Sequence, residues 1–321
     1  MNLPHRLKVA LVAATCGLLA ATTGCGTQPA TRKNTAEPVR STASDSADAL
    51  IVKALTAGFV NSNVPKSVAY AKRAAHQAPD RREIVWLYAQ LCLQTGACPP
   101  EPEENKLRNL DPENGTAWLG ALARAQKEMD TTAEDTILEA MSRSSYFNIY
   151  WNTLASGIAV ELNRQSPPPQ TDDKDGLTES LNRAVSWLST IATVQFQPLI
   201  DTCNAGRIQR SATAKHCAKI AAALQRSDSY IAEGMGLGIA ERLVAVGAED
   251  RAKVADRISL ARYHRETAGE IIQSQQEQNK FTREMLKLMA SLPREQDVFT
   301  TVIRWAHLPL QPPQAGDGVM K

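Results

Sequence analysis

The stretch NLDPENGTAWLGALARA, residues 109–125, joins a turn signal to an Ala- and Leu-rich helical pattern that has Trp118 near its start. The break HQAPD, residues 76–80, precedes Trp86 in a similar way. Trp86, Trp118 and Trp151 are separated by 32 and 33 residues. A break and a tryptophan that recur at an interval of this size predict a series of helical hairpins.

The composition also favours helices. Aromatic residues make up only 5% of the chain, and no segment shows a sustained alternation of apolar and polar residues, which disfavours sandwiches and barrels. The hydrophobic fraction of 43% is large enough for an ordinary core. We therefore expect an all-α fold, with helical hairpin repeats followed by a C-terminal helical region that contains a long helix.

The region from about Ala47 to Leu162 resembles the tetratricopeptide repeat (TPR), a helix-turn-helix unit of about 34 residues. Trp118 matches the aromatic position near the start of the family's first helix. The residues that match the second helix are Ala71, Ala74 and Pro79 before Trp86, and Ala133, Ile137 and Ala140 before Trp151. The resemblance implies closely stacked helix pairs that form a concave surface for a protein or peptide partner.

The chain begins with a pattern typical of a secretory signal. Arg6 and Lys8 precede an apolar run of 13 residues, 9–21, which is too short to span a bilayer. The segment ATTGC, residues 21–25, resembles the bacterial lipobox, which implies that Cys25 is the first mature residue and carries the lipid. In that family an Asp after the cysteine tends to retain the protein in the inner membrane, so Gly26 implies the periplasmic face of the outer membrane. Thr22 departs from the usual Leu, which leaves ordinary cleavage with a free thiol as the alternative.

The predicted organisation follows composition along the chain. Three prolines and an acidic cluster interrupt all periodicity between residues 166 and 176, which predicts a linker there. The expected segments are a signal peptide (1–24), a lipid-anchored flexible tether (25–46), a TPR-like repeat domain (47–165), the linker (166–176), a C-terminal helical domain (177–310) and a disordered tail (311–321).

Four cysteines remain outside the leader and its boundary: Cys92, Cys98, Cys203 and Cys217. An even number in an exported chain predicts two disulfides, and the number alone allows three pairings. Each pair that is close in sequence flanks an expected turn between helices, so we predict Cys92–Cys98 and Cys203–Cys217. Zinc binding is disfavoured, because His216 beside Cys217 is the one histidine near either pair.

Three apolar stripes follow the linker. The first runs from Leu177 to Ala192 and the second from Cys217 to Ile239, and they predict two helices joined in an antiparallel hairpin around the Cys203–Cys217 disulfide. The third, from Val254 to Leu292, contains no proline and predicts one long helix that Pro293 ends.

No motif predicts catalysis, a cofactor or a metal site. The five histidines, which are His5, His76, His216, His264 and His307, form no ligand pair of known spacing. His264 lies among Arg262, Arg265 and Glu266, which is typical of a solvated helix face. The glycines at positions 234, 236 and 238 lack the strand and the spacing of a phosphate loop, so close helix packing or a helix break is the better interpretation.

Charge excludes one class of partner. Removing the leader takes Arg6 and Lys8 from the 36 basic residues and leaves 34, which equals the number of acidic residues. A neutral mature chain argues against nucleic-acid binding through bulk electrostatics. The leading hypothesis is a non-enzymatic, lipid-anchored periplasmic protein that binds a protein or peptide, as an accessory scaffold in envelope assembly or secretion. The alternatives are a periplasmic helical enzyme that acts on peptidoglycan or lipid with glutamates as acid and base, and an immunity or inhibitor lipoprotein.

Overall fold

The computed structural model describes residues 45–165, 176–275 and 279–313, and these residues form thirteen α-helices and no β-strand. The predicted all-α class is therefore confirmed. The helices are α1 (Ala47–Leu55), α2 (Val64–Gln77), α3 (Arg82–Thr95), α4 (Glu101–Leu110), α5 (Leu119–Glu128), α6 (Thr131–Met141), α7 (Trp151–Gln165), α8 (Leu177–Thr202), α9 (Ser211–Leu224), α10 (Tyr230–Val244), α11 (Arg251–Gln275), α12 (Asn279–Ser291) and α13 (Glu295–Trp305).

Local side chains determine where several helices begin and end. Ser46, Asn63 and Asp130 accept hydrogen bonds from backbone N–H groups in the first turns of α1, α2 and α6. α3 ends at Gly96, which adopts a left-handed conformation with φ of 63°. These caps place the helix boundaries close to the breaks in the sequence.

The first six helices pack as neighbours in sequence, with α1 on α2, α2 on α3, α3 on α4 and α5 on α6. Trp86 and Trp151 are buried. Trp118 is half-buried and lies 4.4 Å beneath the guanidinium carbon of Arg108. The tryptophans therefore hold helices together and are not presented to a ligand.

The long helix α8 packs mainly on α7 and also on α5. Its Trp187 ring stacks on Phe59, in the π-helical turn after α1, with 5.8 Å between the ring centroids. Near the ends of α3 and α5, Gln94 and Gln126 donate their amide N–H groups to backbone carbonyls of α8, at 3.0 and 2.8 Å. This side of the repeat helices is consequently covered by the chain's own helix.

One hydrophobic cluster includes residues from both sides of the predicted linker, from Ala47 in α1 to Val298 in α13. The described residues form a single compact unit, so the helices assigned to two domains share a core. Linker residues 166–175 lie outside the described residues, as do the signal peptide, residues 25–44 of the predicted tether and tail residues 314–321.

One predicted helix is divided in the structure. The stripe from Cys217 to Ile239 forms α9 and α10, and the chain turns between them at Ser227, Asp228 and Ser229. The side chains of these three residues accept backbone N–H groups, the first two from the segment before α7 and the third from the first turn of α10. α9 packs mainly on α10 and α6, so the predicted hairpin of the first two stripes is wrong. In the stripe from Val254 to Leu292, α11 packs on α10 and α13, and α12 packs on α7 and α8. Residues 276–278, which lie between them, are outside the described residues.

The close contact between α9 and α10 depends on Gly236. A Cβ atom at this position would lie 2.7 Å from the Ala221 carbonyl oxygen and 2.8 Å from the Leu224 Cβ atom, whereas a Cβ atom at Gly234 would have no neighbour within 4 Å. We expect Gly236→Ala to lower the free energy of unfolding by about 1–3 kcal/mol through overpacking. Gly234→Ala should raise it by up to about 1 kcal/mol.

Urea unfolding followed by circular dichroism measures both changes. The contrast is informative because both substitutions add one methyl group to the same helix. Equal effects of the two variants would contradict the assigned contact between α9 and α10.

Candidate partner-binding groove

The predicted cysteine pairs lie at disulfide distance, with Cα–Cα separations of 4.9 Å for Cys92–Cys98 and 5.8 Å for Cys203–Cys217. The first pair ties the end of α3 to the loop that follows it. The second ties the end of α8 to α9. Cys25, the predicted lipidation site, lies outside the described residues.

Two of the histidines make specific contacts with other segments. The Nδ1 atom of His216 lies 3.0 Å from the Ser142 hydroxyl, and the Nε2 atom of His264 lies 2.8 Å from the Leu310 carbonyl oxygen. Over the described ranges, no group of three His, Cys, Asp or Glu side chains is placed to bind a metal ion. In the same ranges, no helix has both the length and the apolarity needed to cross a membrane.

Asp228 lies buried in the turn between α9 and α10, and its role could not be seen in the sequence analysis. Its two oxygens accept the backbone N–H groups of Ile149 and Trp151, each at 3.0 Å, so this side chain caps the start of α7 from a distant segment. Burial raises the pKa of Asp228 to about 7, against the opposing effect of these hydrogen bonds. The isolated acid between two serines is the signal in the sequence that could have suggested a capping role.

The face of α10 opposite α9 forms a groove with α11. From α10 it is lined by Tyr230, Glu233, Gly234, Leu237, Gly238 and Glu241, which recur at helical spacing. Gly234 and Gly238 lie one turn apart and lack side chains, and Ala261 on α11 is small. Two helices that would otherwise interlock are therefore left with space between them.

The groove has two adjoining parts. The part beside Tyr230 has a volume of about 220 Å³, and the part beside Val254 has a volume of about 570 Å³. Glu241, Ile258 and Arg262 line both parts, so the groove is continuous along α11. α11 is buried only at Val254 and Ala268, and its intervening turns lie over this space. The lining residues on α11 run from Arg251 to Arg265, which corresponds to about four helical turns.

Arginines dominate the charge of the groove. Arg251, Arg262 and Arg265 line it, are exposed, and form no ion pair with any described residue. Of the two acids, Glu241 is exposed, whereas Glu233 accepts a hydrogen bond from the Gln296 amide at 3.2 Å. Burial raises the pKa of Glu233. Three arginines against two glutamates give the lining of the groove a formal charge of +1.

A buried polar atom lies at the inner end of the groove. Tyr230 is 9% exposed, and its hydroxyl has no hydrogen-bond partner among the described residues. Its ring packs on Phe299 with 4.9 Å between the ring centroids, which fixes its position. A buried donor without a partner costs free energy, so a ligand oxygen at this point would be stabilised.

Comparison of the chain with protein-family models, with curated proteins and with solved structures gives no match. The function proposed for the groove therefore depends on the chain's own residues. The sequence analysis singled out the glycines at positions 234, 236 and 238 and assigned them to helix packing, and it assigned Arg262 and Arg265 to a solvated face. Of these three glycines, only Gly236 packs closely on a neighbouring helix, whereas Gly234 and Gly238 line the groove.

Proposed function

We propose that this protein is exported and lipid-anchored, and that it binds an acidic segment of a partner protein in the groove between α10 and α11. The observation that supports the binding proposal most strongly is the group of three arginines along a partly apolar groove that form no ion pair with any residue that the structure describes. Guanidinium groups pair with carboxylates through two parallel hydrogen bonds. An amphipathic helix with acidic residues beside its apolar face is the partner that this chemistry favours.

The relation to TPR proteins is part of the proposal. Sequential packing of α1 to α6 supports a repeat-like origin for this region. No proline closes the unit before Trp151, however, and α8 lies against the ends of α3 and α5. We therefore place the partner on α10 and α11 and not on the surface that TPR proteins commonly use.

Charge reversal tests the groove. The probe is a labelled helical peptide with leucines on one face and glutamates beside them, and its counterpart has lysine in place of each glutamate. We expect the glutamate peptide to bind at least tenfold more tightly than the lysine peptide. The double variant Arg262→Glu/Arg265→Glu should lose at least tenfold in affinity for the glutamate peptide, because like charges would then meet in the groove.

The control is Lys215→Glu/Lys219→Glu, which makes the same change in net charge on exposed residues of α9 outside the groove. Fluorescence anisotropy at physiological salt measures each affinity. Equal losses in the two double variants would show that only overall charge matters and would contradict a binding site between α10 and α11.

Membrane attachment has a separate test. Cys25→Ala should abolish palmitate incorporation and release the protein from the membrane fraction, because the anchor is attached to this side chain. A single acyl chain binds membranes only marginally, and each buried methylene contributes about 0.8 kcal/mol, so loss of all chains should be complete. Cys16→Ala is the control and should retain the label. Labelling that persists in Cys25→Ala would refute the lipidation proposal.

A further inference from the structure

A small cavity lies where α7, α8, α11, α12 and α13 meet, and Phe299, which packs on Tyr230, is part of its lining. Its volume is about 160 Å³, and most of its lining is apolar. Ile272, Met285 and Met289 are among the residues that line it. An engineered protein cavity of about 150 Å³ with a similar apolar lining binds benzene. The cavity is therefore the right size for one small organic molecule.

Two hydrogen-bond acceptors line the same cavity. Asn152 is 1% exposed and donates its amide N–H to the Leu292 carbonyl at 2.8 Å, but its Oδ1 atom is buried without a partner. Glu295 accepts the Tyr230 backbone N–H at 2.7 Å. No Lys or Arg forms an ion pair with Glu295 within the described residues. A carboxyl group and an amide oxygen therefore face the cavity with capacity left to accept hydrogen bonds.

We propose that this cavity binds a small primary amine with an apolar body. The ammonium group would donate to Asn152 Oδ1 and to the Glu295 carboxylate, and it would supply the positive charge that the buried acid lacks. The apolar body would fill the space beside Met285 and Met289. Neutral aromatic molecules would be stabilised by apolar burial alone, and the Glu295 carboxylate would repel ligands that carry a carboxylate of their own.

The neighbouring charges agree with a cationic ligand. Burial, and after it the nearby carboxyl groups of Asp228 and Glu233, raises the pKa of Glu295 to about 7. The Trp151 indole favours the ionised form of Glu295 by hydrogen bonding. Arg265 and Arg294 act on Tyr230 and Glu233, where they oppose the rise in pKa that burial causes. Among the described residues, the carboxyl group that lines the cavity has no Lys or Arg as an ion-pair partner.

Benzylamine is the probe, with toluene and benzoate as comparisons, and the readout is the NMR spectrum of the methionine methyl groups in the full chain. We expect benzylamine to shift the methyl signals of Met285 and Met289 saturably. The signal of Met129, which is 85% exposed, should stay in place. Toluene should bind at least tenfold more weakly, and benzoate should cause no saturable shift.

Matched variants on α8 locate the site. Val185→Phe fills the cavity and should abolish the benzylamine shifts, whereas Val194→Phe changes a residue that is 56% exposed outside the cavity and should preserve them. Glu295→Gln should weaken benzylamine at least tenfold and leave toluene unchanged. Absence of saturable shifts would overturn the proposal and leave water as the occupant, and so would equal behaviour of the two phenylalanine variants.

Discussion

Replacing Asp228 with alanine is expected to lower the free energy of unfolding by about 3–5 kcal/mol, because it leaves buried donors without acceptors. Asp228 is 2% exposed, and its oxygens are the acceptors for the Ile149 and Trp151 N–H groups at the start of α7. α7 in turn packs on α1, α8 and α12. Loss of this cap should therefore weaken the centre of the fold. Urea unfolding followed by tryptophan fluorescence measures the effect.

The matched control is Asp250→Ala. Asp250 also accepts a backbone N–H at the start of a helix, from Lys253 at 3.1 Å, but it is exposed. A solvent-exposed cap of this kind contributes about 1 kcal/mol, because water replaces the lost acceptor. Asp228→Asn should lie between the two alanine variants, since one carbonyl oxygen remains. If Asp228→Ala and Asp250→Ala lose similar amounts, the distant cap does not stabilise α7 as described.

Removal of the Cys203–Cys217 disulfide is the second large effect that we expect. The bond closes a loop with a sequence separation of 14 residues, and both cysteines are fully buried. The double variant Cys203→Ala/Cys217→Ala should lower the free energy of unfolding by about 3 kcal/mol, because the unfolded chain regains loop entropy. The buried network of Glu134, Gln126 and Thr202 lies beside this loop and should loosen with it.

Cys92→Ala/Cys98→Ala provides the comparison. Its loop has a sequence separation of 6 residues, and Cys98 is only half-buried, so the loss should be smaller, about 2 kcal/mol. Thermal unfolding of the two double variants, with and without a reducing agent, measures how much each disulfide contributes to stability. A larger loss at Cys92–Cys98 would contradict the assignment of the main constraint to α8 and α9.

The helices and the cysteine pairs could be predicted because their signals are local. Breaks such as residues 76–80 lie beside the helices that they separate, and each disulfide joins cysteines on either side of one turn. The turn at residues 225–229 was missed because the apolar stripe continues on both sides of it. Only the distant partners of Ser227 and Asp228 show why the chain leaves the helix there.

The groove could not be predicted from periodicity. An apolar and charged face on α11 fits a packed helix, a bridging helix or a binding surface equally well. Whether a groove forms depends on Gly234 and Gly238, which leave space on α10, and on the burial of α11 at Val254 and Ala268. The covering of α3 and α5 by α8 is likewise a contact between residues far apart in sequence.

Site-specific photocrosslinking in cells tests the central claim most directly. A photoreactive residue in place of Ser259 would lie in the groove, whereas the same residue in place of Lys253 would lie on another face of α11. We expect a crosslink to an acidic segment of one partner protein from position 259 and not from position 253, and Arg262→Glu/Arg265→Glu should abolish it. Equal crosslinking from both positions, or a crosslink that survives the charge reversal, would contradict partner binding between α10 and α11.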